Sequence, residues 1–427
     1  GWVDVFVTNV GADALYRNVE GKFVNVTSEA GIPADDAWGA STVFLDYDGD
    51  GWLDLFVVNY VTLDNSMTCS SPAGAAEFCG PMAYPGASDR LYHNLGGGVF
   101  EDVTQSTGIG SRIGRGLGVV ADDLDGDGLV DIYVANDGEP NFLWHNLGDG
   151  TFEEVAVRSG AAVNGFGIAE AGMGVALGDV DGDGFSDLFV THLGGESNTL
   201  YLNDGTGSFQ DETLARGLHT PSLPLTGFGT GMFDLDNDGD LDILVVNGRI
   251  NRSPAVEGAA AGFFRDYAEP NSLYVNDGEG SFRDASNDHP ALTVRPGMSR
   301  GLALGDFDND GSIDAVIMET GRGLRLLRNE AASGHWIGFR VTDPGLGGRD
   351  AIGAHVILWT AQGASQRSVN PGYGFLSSND PRVHFGLGSL VEFDSLLVRW
   401  PGGDAEHFDG GAVDQWRTIK RGQGIAR

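Results

Sequence analysis

The sequence predicts an all-β fold: a β-propeller with six repeats visible, and so six or seven blades, followed by a small β-sandwich-like domain. Three observations predict it. A nine-residue aspartate loop recurs five times. The stretches on either side of each loop are short, apolar and rich in β-branched residues, as strands are. A second phrase, Leu-Tyr/Trp-x-Asn-x-Gly-x-Gly-x-Phe, begins at Leu91, Leu143, Leu200 and Leu273, with a shortened version at Leu15. Units of about 55 residues with four short strands each close radially into propellers.

The loop is clearest at Asp179-Val-Asp-Gly-Asp-Gly-Phe-Ser-Asp187. Aspartates at positions 1, 3, 5 and 9 of a tight turn converge on one point. Bare, such carboxylates repel by a few kcal/mol per pair at roughly 4 Å and an effective dielectric of about 20. A hard cation held by oxygen ligands removes the conflict, and Ca²⁺ suits them. The predicted carboxylate ligands are Asp46, Asp48, Asp50 and Asp54; Asp123, Asp125, Asp127 and Asp131; Asp179, Asp181, Asp183 and Asp187; Asp234, Asp236, Asp238 and Asp242; and Asp306, Asp308, Asp310 and Asp314. Position 7 adds a backbone carbonyl, from Trp52, Leu129, Phe185, Asp240 or Ser312. That makes about five Ca²⁺ sites. The start resembles an EF-hand loop, but Val190 stands where the twelfth-position Glu would be, and no helices flank it. Repetition in every unit points to structural staples, since a reaction needs one site.

In chain order, residues 1–30 finish a unit whose loop is represented only by Asp4 and its exit strand. The next unit shows the plan: strand A at 40–45, the loop, strand B at 53–59, strand C at 90–93 and strand D at 99–104. The Asn-x-Gly turn of the second phrase makes a C–D hairpin. First aspartates at 46, 123, 179, 234 and 306 are 77, 56, 55 and 72 residues apart, and the two long intervals hold inserts at 60–88 and 249–270. The propeller is expected to span 1–333. From 334 to 427 the loops stop, and the alternating stretches Ala351–Thr360, Val383–Gly388 and Ser395–Gly402 suggest the sandwich. Gly372–Ser378 reads as a turn-rich link.

Net charge is −36, from 61 acidic and 25 basic residues. That sign excludes nucleic acid or an anionic membrane as a default partner. No apolar run approaches the roughly 18–20 residues of a membrane span. Cys69 and Cys79 fit neither a zinc nor a redox motif. A local disulfide pinning the first insert is expected, which points outside the cytoplasm.

These residues carry a family resemblance. The aspartate loops in strand hairpins resemble FG-GAP/VCBS propeller repeats, a family that commonly closes with seven blades. Gly-Tyr-x-x-x-Ser at 372–377, His384-Phe-Gly-Leu-Gly388 and Val398-Arg-Trp-Pro-Gly-Gly403 resemble the ASPIC/UnbV domain. Propeller plus domain resembles the cartilage acidic protein 1 family, and the insert Cys69…Phe78-Cys79-Gly-Pro is similar to its bacterial members. The resemblance implies a calcium-binding, adhesion-like protein that is secreted, periplasmic or at the cell surface.

The A–B loops share one face, so both inserts and the irregular D–A connections lie on the other. Rigid scaffolds carry function on such loops. Arg115, Glu170, His192, Arg300 and Glu319, with Asn59, Asn136 and Asn247, are expected around the channel mouth there. They either bind a polar ligand or close the channel with internal pairs. Phe263, Phe264 and Tyr267 either offer a stacking surface or pack a short helix, 256–267, on the propeller. An extracellular protein or glycan is the expected partner, and recognition the expected role. A lyase, hydrolase or cyclase using the insert face is the alternative, with His192 and Glu170 as an acid/base pair.

Overall fold

The computed structural model describes residues 2–34, 36–64, 66–70, 76–77, 79–331 and 333–426. Gly1 and Phe78 lie outside the described residues. Among the described residues, six antiparallel sheets follow one another with strands in the spatial order A-B-C-D. Blade 2 has Gly39–Leu45, Asp54–Asn59, Arg90–Asn94 and Phe100–Asp102. Blades 3, 4 and 5 repeat it, with A strands at Gly116–Asp122, Val175–Gly178 and Gly227–Phe233. Blade 1 has three strands, equivalent to B, C and D, and blade 6 has three, equivalent to A, B and C.

The B strands are buried along their whole length in blades 2 to 5, because sheets stack on both of their faces. That is why Leu55-Phe-Val-Val58 reads as a continuous apolar run rather than an alternating one. Each inter-blade layer is one apolar cluster; Val43, Phe56 and Leu91 of blade 2 meet Val119, Ile132 and Trp144 of blade 3. The strand-C asparagine ties the ring together. Asn146 Nδ2 donates to Tyr47 O of the preceding blade at 2.8 Å, Asn203 to Leu124 O at 2.8 Å, Asn276 to Val180 O at 2.8 Å and Asn329 to Leu235 O at 2.7 Å.

The C-terminal strands form two packed sheets. One has Arg349–Asp350, His335–Asp343 and Val383–Gly388, with Gln415–Lys420 parallel to His335–Asp343. The other is built on His355–Thr360 and Glu392–Arg399. Phe339, Phe385, Val356 and Leu358 fill the space between.

Two expectations are corrected. Gly372–Ser378 is not a mere link; with its neighbours it fills the propeller axis. Leu376 N donates to Ser41 Oγ at 3.1 Å, and Asn370 Nδ2 to Ala121 O at 2.8 Å. Gly374 exchanges backbone bonds with Val175, Phe375 packs edge-on to Phe228 at 5.0 Å, and Asn379 Oδ1 accepts from Leu304 N at 2.9 Å. Those partners are the A strands of blades 2, 3, 4, 5 and 6. Gly374 has φ of 101°, a conformation glycine takes without a Cβ clash, and its bare Cα lets the plug run close to Thr230 O. The second insert holds only one 3₁₀ turn, Phe263–Tyr267, in place of the helix at 256–267. Phe264 packs on Gly321, while Phe263 is 61% exposed and stacks with Tyr267 at 6.1 Å.

Candidate metal centres and the insert face

Each aspartate loop is wound by its own backbone. The position-6 glycine N–H donates to the position-1 carboxylate: Gly51 to Asp46, Gly128 to Asp123, Gly184 to Asp179, Gly239 to Asp234 and Gly311 to Asp306. Position 7 donates to position 5, as in Trp52 N to Asp50 Oδ1 at 2.7 Å and Ser312 N to Asp310 Oδ1 at 2.9 Å. Position 4 needs positive φ; Gly supplies it in three loops, and Asn237 and Asn309 adopt 64° and 59°. The position-9 aspartate anchors the loop to strand C, its Oδ1 accepting from the N–H of Asn94, Asn146, Asn203, Asn276 or Asn329.

Burial leaves these carboxylates short of stabilisation. It pushes Asp54 and Asp131 up to about 7, and Asp187 and Asp242 up to about 8, despite those N–H bonds. One buried oxygen on each of Asp46, Asp181, Asp234 and Asp236 has no hydrogen-bond donor. Oxygens of Asp46, Asp48 and Asp50, of Asp179, Asp181 and Asp187, and of Asp234, Asp236 and Asp242 lie within 4.8 Å of one another. Two ligands at 2.3–2.6 Å from a shared Ca²⁺ are at most about 5 Å apart, so the spacing fits a hard cation.

Sequence reasoning missed what surrounds the loops. His93 Nδ1 sits 3.3 Å from Asp48 and 3.1 Å from Asp54; His145 Nδ1 sits 3.2 Å from both Asp125 and Asp131. In blade 6 the equivalent residue is Arg328, 3.0 Å from Asp308 and 2.8 Å from Asp310. The signal was present: this is the variable position of Leu-Tyr-x-Asn, one residue before the asparagine that pairs with position 9. The C-terminal sandwich also lies on this face. Arg349 donates to Gly51 O, Arg367 to Gly239 O, His384 Nε2 lies 3.0 Å from Gly311 O, and His355 Nε2 sits 3.0 Å from Asp122. A cavity of about 120 Å³ remains between the two, lined by Asp179, Asp234, Arg367, Tyr373 and Arg382 among others.

On the opposite face most of the expected residues are spoken for. Arg115 pairs with Glu139 and donates to Pro81 O and Tyr84 O of the first insert. Arg300 bonds Gly248 O and Arg249 O and lies 3.7 Å over the Phe228 ring. Glu319 is held by Arg322 and Arg325. Asn59, Asn136 and Asn247 each donate Nδ2 to a nearby backbone carbonyl at 2.9 Å. His192 occupies the same position in blade 4 and differs: it is 2% exposed, and neither ring nitrogen has a hydrogen-bond partner. Its Nε2 is 3.9 Å from Glu170 Oε2. Burial lowers the imidazole to about 4 and raises the Glu170 carboxyl to about 7. In the first insert, Cys69 and Cys79 are disulfide-bonded, with Cα atoms 5.1 Å apart.

Comparison with known proteins agrees with this layout. The FG-GAP-like repeat family matches residues 1–57, 81–134, 123–190 and 179–245, just over half of the chain, and the ASPIC and UnbV family matches 346–426. Cartilage acidic protein 1 of Xenopus tropicalis is 28% identical over 414 residues, covering 94% of this chain and 55% of the relative. The Homo sapiens protein is 30% identical over 375 residues, covering 86% and 50%. The chain thus spans about half the length of the curated relatives it matches. Among solved structures, an Agrocybe aegerita lectin that recognises non-reducing terminal N-acetylglucosamine aligns over 78% of this chain and 91% of its own, at 17% identity and a TM-score of 0.34. That likeness is too distant to bear on function.

Proposed function

This chain belongs to the FG-GAP-like repeat family, with an ASPIC and UnbV domain in its C-terminal part, and on that premise we propose that it is an extracellular recognition module whose aspartate loops are held by Ca²⁺. The division of the two faces carries the reading. The face with the uniform loops is covered by the C-terminal sandwich, which bonds the loop carbonyls. The face with the two inserts is left to meet a partner. Bound in the loops, Ca²⁺ would supply the charge that the buried aspartates lack. The chain's own residues do the rest: Gly51, Gly128, Gly184, Gly239 and Gly311 fix the position-1 carboxylates, and the strand-C asparagines fix position 9. A disulfide in the first insert and the acidic surface both suit an extracellular setting.

We assign the partner surface to the second insert, where Phe263, Tyr267 and Arg252 group together and Phe263 is 61% exposed. An extracellular protein or a glycan would anchor on such rings. The test deletes 259–265 and separately makes Asp181→Ala, then probes a glycan and extracellular-protein array at saturating calcium. The deletion should abolish binding with little change in Tm, and Asp181→Ala should lower Tm with binding kept. Binding that follows Asp181 and ignores the insert would overturn the assignment of faces.

One observation supports a second reading, in which the insert face is catalytic. A gap of 3.9 Å between His192 and Glu170 is too long for a hydrogen bond, yet one hydroxyl could bond both. His192→Asn, which restores the residue of blades 2, 3 and 5, should then abolish turnover without unfolding. Unchanged turnover of any substrate found would dismiss the pair.

A further inference from the structure

The five aspartate loops match in sequence but not in surroundings, and the difference lies in the residue before the strand-C asparagine. It is His93 and His145 in blades 2 and 3, Leu202 and Val275 in blades 4 and 5, and Arg328 in blade 6. Strand pairing brings this residue over the loop, because the next residue, the asparagine, binds the position-9 carboxylate. The imidazole of His93 or His145 lies 3.1–3.3 Å from two loop carboxylates. Leu and Val contribute no charge. A guanidinium is a permanent cation.

From this we infer that Arg328 is the built-in cation of the blade 6 loop, and that 306–314 binds Ca²⁺ far more weakly than the other four. The inference rests on the calcium reading above. Arg328 Nη2 lies 3.0 Å from Asp308 Oδ2 and 2.8 Å from Asp310 Oδ2, bridging positions 3 and 5 where a cation would draw them together. At position 1, Asp306 Oδ2 accepts from Trp416 Nε1 at 2.9 Å in addition to the Gly311 N bond that every loop makes. Blade 5 is the opposite case. Asp234 and Asp236 each keep an oxygen without a donor, beside an apolar Val275. In blade 4, Asp181 keeps one, and the nearest guanidinium, Arg216, stands 3.7 Å away. The buried Arg367 is near Asp179 and Asp234, yet its Nη atoms bond the carbonyls of Gln366 and Gly239.

Calcium entering the blade 6 loop must displace or approach a unit charge on a half-exposed side chain. For a dication and a guanidinium about 5 Å apart in screened water, the penalty corresponds to on the order of tenfold in affinity. The blade is then held in shape without metal, by an arginine that links strand C to the loop.

The experiment titrates the whole chelated protein with Ca²⁺ by calorimetry and counts bound ions by native mass spectrometry. Wild type should fill four sites, with a fifth about tenfold weaker. Arg328→Val, which copies blade 5, should bring the fifth site into the main group. Arg328→Val with Asp310→Ala should remove that gained site and leave four. Five equivalent sites in wild type, or an unchanged fifth site in Arg328→Val, would overturn this inference and leave the calcium reading intact. No bound calcium in any variant would overturn both.

Discussion

Replacing Asp89 by Asn should stabilise the protein, and only above a certain pH. Immediately before strand C, blades 3, 4 and 5 have Asn141, Asn198 and Asn271, whose Oδ1 accepts from the backbone N–H at the end of strand B at 2.9–3.0 Å. Blade 2 uses Asp89, which accepts from Asn59 N at 3.0 Å and is 5% exposed. One N–H bond does not offset burial, which raises the carboxyl from 3.8 to about 7. The folded value lies above the unfolded one. Stability from this group is therefore complete below about pH 4 and is lost as pH climbs through 7. About three units at 1.36 kcal/mol each give a ceiling of ~4 kcal/mol at pH 8. Asn keeps the acceptor and removes the charge, but its amide needs a partner of its own, so ~2–4 kcal/mol is expected. Urea unfolding of wild type and Asp89→Asn from pH 4.5 to 8.5, in constant calcium, measures it. A gain that grows with pH is the expected result. A loss at pH 8, or a difference independent of pH, would refute the reasoning.

Phe375→Ala should empty part of the propeller axis and cost about 3–5 kcal/mol in denaturant unfolding, since Phe375 is buried against Phe228; a change under 1 kcal/mol would mean the plug is dispensable. Chelation should lower Tm, each emptied site losing about 0.4–1.4 kcal/mol of stability relative to millimolar calcium. It should also speed tryptic cleavage between blade 6 and the sandwich, because Arg349 and Arg367 bond loop carbonyls that calcium would fix; identical digests with and without EDTA would count against that coupling. Breaking Cys69–Cys79 by Cys→Ser at both positions should cost up to about 2.5–3 kcal/mol of local stability in the chain-entropy model and leave the blades intact, read by hydrogen exchange across 60–88.

Repetition made the propeller legible. The loop and the Leu-Tyr-x-Asn phrase are both local, and each repeat confirms the register of the others. The aspartates of each loop gather within one turn because their spacing is a property of nine consecutive residues. Contacts between distant segments were not legible in this way. Nothing in Gly372-Tyr-Gly-Phe-Leu says that it runs along an axis lined by strands some 70 to 335 residues earlier. The pairing of Arg115 with Glu139, and of Arg300 with the carbonyls of 248 and 249, likewise arises only once the blades are arranged radially. His192 was visible as a departure from the asparagine of blades 2, 3 and 5, but its unpaired nitrogens were not. Arg328 lay in plain view at a variable position whose direction only the strand pairing reveals.

The axial plug has a consequence for how the chain is made. Leu376 and Ser41, which bond in the finished molecule, are 335 residues apart. The blades can form successively as they leave the ribosome, each from local hairpins. Their innermost strands must wait, because the segment that fills the centre is translated after all of them. Until then Val43, Val119 and Phe228 border an unfilled core, and the nascent ring is a target for chaperones or for premature association. Residues 372–379 thus act as a checkpoint: until they are made, the six sheets have no centre to close on.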